Sequence, residues 1–491
     1  MKKVLLVNAN LERAPYPVPP LGLALVAEGL AAAGYVPRLF DGAFADPAAL
    51  PAVARDFQPD YVGLGVRNID DVVMDGTTCY VDGIRDKFIG PLRAATAAPL
   101  ILGGAGFSIF PVPLMDLLAA DYGLVGEGER RFPELLRALD AGEPVDGLPG
   151  VVCRGKAGAT PGIPATPSPS LPALPRSGSV LPRSGAASDP LVTPFANLDR
   201  WIDFAPYRAR GAYPIQTKRG CAHECLYCSY AGIEGPRYRL RDPAAVVDEM
   251  SQAQQRLGSV MFEFVDSTFN DPPEHALAVC REITARGLEF RLRTMGVNPA
   301  RLSAALIHAM REAGFVQMDC TPDSASPSML DRLRKNFSLA DLERAARCIR
   351  DAQLPTMWFF LFGGPGENEQ TVRETFAFVD RCIEPLDMVH MTAGLRIYPG
   401  TGLHRVALQE GIVDASDDLL RPRFYVSPQL GKDRLRELLA DAAARRPNCV
   451  PADESSPPPE MLREAALWRE KEGLTEPMFR TLLRVRRRKR E

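Results

Sequence analysis

The chain has 491 residues, a length that predicts roughly two to four domains. Hydrophobic residues make up 46% and charged residues 24%, as in ordinary globular proteins, and 58 lysines and arginines balance 61 aspartates and glutamates. This balance does not favour nucleic acid as a partner. No apolar run approaches the roughly 18 residues of a membrane span, and the opening MKKVLLVNAN resembles a strand more than a signal peptide. We therefore expect no membrane span and a cytoplasmic location.

The first 153 residues alternate short apolar runs with segments of helical spacing, such as Leu21–Ala33 and Phe132–Leu139. The predicted strands are Lys3–Val7, Val36–Phe40, Tyr61–Val66, Leu100–Leu102, Tyr122–Val125 and Gly150–Cys153. This alternation predicts an α/β domain over residues 1–153 with a parallel, doubly wound, Rossmann-like sheet.

From about Lys156 to Pro190 the composition changes to proline, serine, glycine and alanine. Such a segment cannot bury enough apolar surface to form a core, so we interpret residues 154–195 as a flexible linker. A docking motif is the alternative interpretation of the same composition.

Strand and helix patterns alternate again across residues 196–400, with helices such as Ala244–Arg256, Glu274–Arg286 and Leu339–Ala352. The predicted strands are Pro214–Lys218, Val260–Asp266, Phe290–Met295, Phe315–Thr321, Thr356–Phe362 and Met388–Ile397. Six β/α units joined by right-handed crossovers predict a partial parallel barrel.

Residues 401–491 contain two amphipathic stretches, Arg434–Arg445 and Glu460–Glu472, and predict a mostly helical region. The chain ends in RVRRRKRE, which we interpret as a solvated basic tail. No motif stands out here, and we expect this region to shape the specificity for the substrate.

Three of the ten cysteines, Cys221, Cys225 and Cys228, share one short loop directly after a predicted strand. Three thiolates at this C-x3-C-x2-C spacing can hold three irons of a cubane 4Fe-4S cluster, which leaves the fourth iron without a protein ligand. A zinc loop with His223 as the fourth ligand is the alternative, although no second CxxC pair follows. The other cysteines are scattered singly, mostly in apolar patterns where a thiol acts as a small hydrophobe.

The cysteine motif, with Tyr227 before its last cysteine, resembles the signature of radical S-adenosylmethionine (SAM) enzymes, and the resemblance extends over about Tyr213–Gly402. It implies that the open iron binds the amino and carboxylate groups of SAM and that Tyr227 contacts the adenine. Further SAM contacts are implied at the carboxyl ends of later strands, where barrel enzymes build their sites. The residues concerned are Asp266, Ser267, Asp323, Ser324, Gly363 and Gly364. The Gly-Gly-Glu of the family pattern is replaced by Asp-Ser-Thr after the second strand.

Glycines and polar residues end the strands of the N-terminal sheet, where a doubly wound sheet binds its ligand. No G-x-G-x-x-G follows the first strand, so a dinucleotide site is weakly supported. In their order, and followed by the radical SAM core, these segments resemble the cobalamin-binding domain of cobalamin-dependent radical SAM enzymes. The residues that the resemblance assigns to cobalamin are Gly22, Asn68, Gly103, Gly104, Gly126, Glu127 and Gly128.

No histidine precedes His223, so the N-terminal domain has no histidine to bind cobalt from below. The segment that begins at Arg67 resembles the part of the tryptophan-methylating branch that faces cobalt from below, which implies a catalytic role for Arg67; an ordinary surface arginine is the alternative. Methylthiotransferases have a similar N-terminal sheet, but only Cys79 and Cys153 precede the core, too few for the second three-cysteine cluster of that family.

The resemblance favours a cobalamin-dependent radical SAM C-methyltransferase that acts on a small molecule or natural product. It implies that SAM is cleaved reductively, with flavodoxin or ferredoxin as electron donor. It also implies that the 5′-deoxyadenosyl radical activates an unactivated carbon, to which methylcobalamin gives its methyl group. The tryptophan-methylating branch suggests a variant of this mechanism, in which cobalamin transfers the methyl group without formation of the 5′-deoxyadenosyl radical. Two further hypotheses stay open: a cyclase or ring-rearranging enzyme without net methylation, and a non-catalytic carrier of the cluster or of cobalamin.

Overall fold

The structure is a computed structural model that describes residues 1–155 and 197–489. The predicted linker segment Lys156–Pro190 lies outside the described residues. Within the two described ranges, no helix is both long and apolar enough to cross a membrane.

The N-terminal domain is a twisted sheet with a hydrophobic core on each face. Its strands are β1 (Lys3–Asn8), β2 (Val36–Asp41), β3 (Tyr61–Gly65), β4 (Leu100–Gly103), β5 (Tyr122–Leu124) and β6 (Val151–Cys153). Its helices are α1 (Leu21–Ala32), α2 (Leu50–Phe57), α3 (Val81–Ile84), α4 (Gly90–Ala95), α5 (Ala105–Ile109), α6 (Pro111–Leu117) and α7 (Gly128–Ala141). In β1, Val4 and Leu6 pack into one core while Leu5 and Val7 pack into the other, so a continuous apolar run forms a strand buried on both faces.

The strand order is β2-β1-β3-β4-β5-β6, which confirms the predicted doubly wound arrangement. All neighbouring pairs are parallel except the last, because β6 runs antiparallel to β5. The loop between α7 and β6 carries the chain back along the sheet before β6 begins. A purely parallel sheet was therefore the wrong expectation for this edge strand.

The second domain is a partial barrel whose main sheet has seven strands in the order β17-β14-β13-β12-β11-β10-β7, all parallel. The strands after residue 197 are β7 (Tyr213–Ile215), β8 (Lys218–Arg219), β9 (Arg239–Leu240), β10 (Met261–Phe264), β11 (Arg291–Val297), β12 (Phe315–Asp323), β13 (Thr356–Phe362), β14 (Met388–Ala393), β15 (Leu395–Arg396), β16 (Phe424–Tyr425) and β17 (Cys449–Pro451). The helices are α8 (Tyr230–Glu234), α9 (Pro243–Leu257), α10 (Pro273–Ala285), α11 (Ala304–Glu312), α12 (Pro327–Arg332), α13 (Leu339–Ala352), α14 (Glu369–Cys382), α15 (Gly402–Gln409), α16 (Lys432–Arg445), α17 (Pro459–Glu472) and α18 (Met478–Arg488).

Two of the six predicted barrel strands are each divided in the structure. The predicted Pro214–Lys218 becomes β7 and β8, because the backbone N–H of Thr217 is held at 2.7 Å by the Asp266 carboxylate and not by a neighbouring strand. The predicted Met388–Ile397 becomes β14 and β15, because Gly394 between them adopts a φ of 71° that ends the extended run. β8 and β15 pair instead with β9 and β16 in small antiparallel ribbons.

The C-terminal region contributes more than helices. β17 joins the barrel sheet beside β14, so one strand of the barrel comes from a segment predicted to be mostly helical. The basic run at the chain end was predicted to be a solvated tail, but up to Lys489 it is the last part of α18 and its C-cap. Leu483 and Val485 of this helix are buried. Leu483 packs in the cluster that includes Val450 of β17. The arginines therefore form the polar face of an amphipathic helix.

Candidate functional site

One large cavity, about 1540 Å³ in volume, lies between the two domains and continues into the barrel. It is bounded by the strand ends of the N-terminal sheet, by the cysteine loop and by the interior of the barrel. Most of the predicted site residues line it: Gly22, Arg67, Asn68, Gly103, Gly104, Gly126, Glu127, Gly128, Cys221, Cys225, Tyr227, Cys228, Asp266, Ser267 and Asp323. The fold therefore brings the residues predicted for three different cofactors to one space.

The cysteine loop is held by backbone hydrogen bonds at both ends and in its middle. The Cys221 N–H donates to the Gly235 carbonyl at 3.0 Å, and the Leu226 N–H donates to the Leu333 carbonyl at 3.0 Å. Gly220, which precedes the loop, has a φ of 90°, and a Cβ there would lie 2.0 Å from the Arg237 carbonyl oxygen. Only glycine fits this turn, which fixes the direction in which the loop leaves the strand.

The three thiols of the loop are close enough to interact electrostatically, and none of them forms a disulfide. Burial raises the pKa of all three, that of Cys228 to about 12, while the positive charge of Lys335 lowers the pKa of Cys225 and Cys228. Within residues 1–155 and 197–489, no three histidine, cysteine or acidic side chains converge closely enough to chelate one metal ion. Three thiols spread around one pocket fit a cubane, because each binds a different iron.

His223 lies inside the loop, and its imidazole contacts side chains from outside the loop. Its Nε2 lies 3.0 Å from the Asp271 carboxylate, 3.3 Å from the Tyr238 hydroxyl and 3.4 Å from the Asn298 amide. These contacts engage one of the two imidazole nitrogens, and among the described residues no three histidine, cysteine or acidic side chains are close enough to hold one metal ion. The geometry therefore opposes the zinc alternative.

A buried polar group lies beside the thiols. The Tyr227 hydroxyl donates to the Asp323 carboxylate, and Lys335 Nζ lies 2.6 Å from the same carboxylate. Asp323 has a φ of 64°, an unusual conformation for a residue other than glycine, which turns the end of β12 towards the cavity. Burial alone would lower the pKa of Lys335, but the charge of Asp323 raises it, so the lysine is held as a cation next to the cluster loop.

Other residues predicted to contact SAM have protein partners in this structure. The Asp266 carboxylate is buried and accepts hydrogen bonds from the Thr217 N–H, the Thr217 hydroxyl and Lys218 Nζ at 2.6–3.2 Å. The Ser267 hydroxyl donates to the Gly220 carbonyl at 2.9 Å. Both residues thus support the start of the cysteine loop, and their contact with SAM stays a prediction.

Three predicted SAM residues, Ser324, Gly363 and Gly364, lie outside the residues that line the cavity. The Ser324 hydroxyl lies 3.2 Å from that of Thr375. The two glycine N–H groups donate to the buried Glu367 carboxylate, so they close the turn after β13. A role for these three residues in adenine or ribose binding stays a prediction.

Glycines form much of the cavity wall in the N-terminal domain. Gly22 faces open space, since a Cβ there would meet no atom within 4 Å. Gly104 and Gly126 have φ values of 101° and 84°, and Ser108 accepts the Gly126 N–H at 2.9 Å. A wall with few side chains at the strand ends fits a broad, flat ring such as the corrin of cobalamin.

Acidic residues of the N-terminal domain pair with arginines of the barrel across the cavity rim. Glu127 is bound by Arg239 and lies 3.1 Å from Arg219, which also contacts Glu129. Burial acts to raise the pKa of Glu127, but the hydrogen bond from Arg239 and the charge of Arg219 lower it overall. Glu127 was predicted to contact cobalamin, and here its carboxylate joins the two domains.

Arg67 is exposed to the cavity, and among the described residues it has no hydrogen-bond or ion-pair partner. The charges of Arg67, Cys221 and Cys228 all act on the phenol of Tyr230 in α8, which also lines the cavity. Desolvation, followed by the charge of Glu234, raises the pKa of Tyr230 to about 12. One tyrosine is thus within electrostatic range of a predicted cobalamin residue and of two cysteines of the loop.

Sequence patterns did not identify several residues in and around the site. Lys335, Tyr230 and Arg396 lie outside any motif, and Asp70 was noted only as the end of the segment that begins at Arg67. The Arg396 Nε donates to Asp70 at 2.9 Å, and both side chains are 1% exposed. Their partners are distant in the chain, so only the folded structure identifies them.

Two family models match the chain. Residues 215–379 match the radical SAM superfamily, and residues 7–136 match the B12 binding domain. Together with the three thiols and the glycine-lined wall, these matches define a cobalamin-binding radical SAM protein.

The tryptophan 2-C-methyltransferase of Streptomyces laurentii is 31% identical over 455 residues, which cover 82% of this chain and 73% of that protein. The cytidylyl-2-hydroxyethylphosphonate methyltransferase of Streptomyces wedmorensis is 25% identical, over 86% of this chain and 85% of that protein. The chain belongs to the family of cobalamin-dependent radical SAM methyltransferases. It is a C-methyltransferase for a small molecule, with a 4Fe-4S cluster, SAM and cobalamin as cofactors.

A solved structure of the radical SAM methyltransferase TsrM from Kitasatospora setae, with cobalamin and a [4Fe-4S] cluster bound, has a TM-score of 0.81 at 24% identity. The alignment covers 100% of this chain and 99% of that one. The cobalamin-dependent enzyme OxsB gives a TM-score of 0.68 at 14% identity over 98% of this chain and 70% of that one. The predicted order of a cobalamin-binding domain followed by a partial barrel is confirmed. The cyclase and carrier hypotheses are not favoured.

Proposed function

We propose that the enzyme methylates a carbon of a small heteroaromatic molecule, with the indole ring of tryptophan as the first candidate. The continuous cavity carries this proposal, because the strand ends of the N-terminal sheet, the cysteine loop and the barrel interior line one space. The relationship to a tryptophan 2-C-methyltransferase supports the choice of indole. When bound, cobalamin would supply the methyl group, one SAM would restore the methyl group of cobalamin, and a second SAM would be the substrate of reductive cleavage.

The residues of this chain would position the reactants and exclude water. The pair of Asp323 and Lys335 would present a fixed charge beside the cluster, and Tyr227 would be oriented by its bond to Asp323. Tyr230 would lie within electrostatic range of both Arg67 and the thiols of the loop. Such prearranged groups cost no reorganisation when the reaction occurs.

Anaerobic incubation of the reconstituted enzyme with SAM, methylcobalamin, a reductant and tryptophan tests this proposal. The expected product is heavier than the substrate by one methylene, and S-adenosylhomocysteine forms with it. Formation of 5′-deoxyadenosine in step with product would identify methylation of an unactivated carbon after reductive SAM cleavage. Its absence would identify the radical-free mode. Product with no mass gain would contradict methyl transfer.

We also propose that a flavodoxin or ferredoxin in the cytoplasm reduces the cluster. Leu333, whose carbonyl accepts the Leu226 N–H of the cysteine loop, is flanked by Arg332 and Arg334. Both arginines are exposed, and neither has an ion-pair partner among the residues that the structure describes. Such electron carriers are commonly acidic, so a basic surface next to the loop suits their docking.

Arg67→Lys should leave cobalamin bound but change the absorption spectrum of cobalamin and slow methyl transfer about tenfold, equal to about 1.4 kcal/mol in the barrier. The guanidinium has no lone pair for cobalt, whereas lysine is compact, flexible and able to lose its proton. Paramagnetic resonance of the cob(II)alamin form should show no nitrogen splitting from a protein imidazole in the parent, because the N-terminal domain that carries Arg67 contains no histidine.

The matched control for this prediction is Arg208→Lys, a second exposed arginine on the cavity wall. It should leave both the spectrum and the rate unchanged. If Arg67→Lys has the spectrum and turnover of the parent, Arg67 is an ordinary surface residue. Nitrogen lines traced to a protein histidine would show that cobalt has a lower ligand.

A further inference from the structure

The cavity extends from the cysteine loop into the barrel, where a row of polar side chains lines it. Glu263 of β10 and Arg293 of β11 are paired in register, and Asp319 of β12 lies on the same inner surface. Counting along β10 from Glu263 to Asp266 gives three residues, or about 10 Å at the usual rise of a strand. This row is therefore separate from the groups beside the cysteine loop.

The two carboxylates of this row differ in their hydrogen bonding. Glu263 accepts the Tyr16 hydroxyl at 2.9 Å and lies 2.7 Å from the Arg293 Nε. Asp319 Oδ1 is buried and has no hydrogen-bond partner among the described residues, and Arg293 forms an ion pair with Glu263 while its Nε and Nη2 lack hydrogen-bond acceptors there. A buried carboxyl oxygen that lacks a partner is costly, and a ligand that donates a hydrogen bond would remove that cost.

The charges of the row do not balance. With both carboxyls ionised, Glu263 and Asp319 carry two negative charges against the one positive charge of Arg293. Burial, followed by the charge of Glu263, raises the pKa of Asp319 to about 8, so these surroundings favour the neutral acid of this carboxyl near neutral pH. A bound cation would restore both ionisation and neutrality.

The surroundings of Asp319 suit an aromatic amine. Phe359 and His390 form an aromatic wall with ring centroids 5.0 Å apart, and the thioether of Met357, in register with Asp319, lines the same space. Burial lowers the pKa of His390 to about 4, so this ring stays neutral and does not repel a cation. The cavity thus offers an apolar aromatic wall beside an unpaired acid.

We propose that Asp319, supported by Glu263, forms a subsite that binds a protonated amine of the substrate inside the barrel. The inference rests on the proposed function, because it assigns this space to the molecule that is methylated. It names an amine-bearing aromatic compound as the substrate class and Asp319 as a residue that determines specificity. Arg293 and Tyr16 act as positioning residues, since they hold Glu263 beside Asp319.

The test measures binding to the anaerobic holoenzyme, loaded with cluster and cobalamin, by saturation-transfer nuclear magnetic resonance. The probes are benzylamine and benzyl alcohol, which share an aromatic ring and differ in the cationic group. Benzylamine should bind at least about tenfold more tightly than benzyl alcohol, because it pairs with a buried carboxylate. No methyl transfer is needed, so failure of this inference is distinguishable from failure of the proposed function.

Asp319→Asn should abolish the preference for benzylamine, since the amide has nearly the same shape and no charge. Asp319→Ala serves as a second variant if the amide disturbs cofactor loading. The matched control is Asp331→Asn, the same change at an exposed carboxylate of α12 that does not line the cavity, which should keep the preference. Equal binding of the two probes to the parent, absence of binding by benzylamine, or a preference that persists in both Asp319 variants would each overturn the inference.

Discussion

Replacement of Cys221, Cys225 and Cys228 together by alanine is expected to remove all of the roughly four irons of the reconstituted cluster. These cysteines share one loop, and their thiols interact with one another in a single pocket. His223 of the same loop is engaged by Asp271 and is therefore poorly placed to replace the thiolates. SAM cleavage should fall below detection. Iron and sulfide analysis, the cluster absorption band and the release of SAM cleavage products would measure the loss.

The matched control replaces three other cysteines, Cys79, Cys348 and Cys382, which are only partly buried and lie outside the loop. This variant should keep its iron and its activity. Both variants should bind cobalamin like the parent, since the glycine-lined wall is unchanged. Iron retained by the variant without Cys221, Cys225 and Cys228 would show that the cluster is held elsewhere.

Arg396→Met is expected to lower the free energy of unfolding by about 3–5 kcal/mol, because it leaves the carboxylate of Asp70 buried and uncompensated. The Arg396 guanidinium also donates to the carbonyls of Ile397 and Leu419 at 2.6 and 2.8 Å. Asp70 lies three positions after Arg67, so this ion pair fixes the segment that faces the cobalamin side of the cavity. Cobalamin affinity should therefore fall together with stability. Chemical denaturation and a cobalamin titration are the measurements.

The matching double variant, Asp70→Asn with Arg396→Met, removes the unpaired charge and retains a carbonyl for the Val72 N–H, which Asp70 accepts at 2.9 Å. It should recover most of the lost stability, because replacement of both partners of a buried pair costs much less than removal of one. Equal destabilisation of the single and double variants would instead assign the effect to the lost packing of the long arginine side chain.

Local patterns were sufficient for the parts of this protein that depend on neighbouring residues. A cluster-binding loop needs three thiols within one short segment, so the spacing of Cys221, Cys225 and Cys228 was sufficient to predict it. The strand that begins at Thr356 and the helix that begins at Leu339 were predicted with the bounds that the structure has, because their apolar periods are regular. The absence of histidine before position 223 is likewise a property of the sequence alone.

Contacts between distant segments were decided only by the tertiary structure. β17 joins the barrel because β14 offers an open edge to a three-residue segment that has no strand pattern of its own. Asp319 lies buried with an unpartnered carboxyl oxygen because the register of β10 and β11 pairs Arg293 with Glu263. Asp70 and Arg396 meet because the two domains pack against each other, 326 positions apart in the chain. Sequence patterns fix local conformation, whereas strand register, crossovers and domain packing decide which distant side chains share a low-dielectric space, and the chemistry of such side chains depends on their partners.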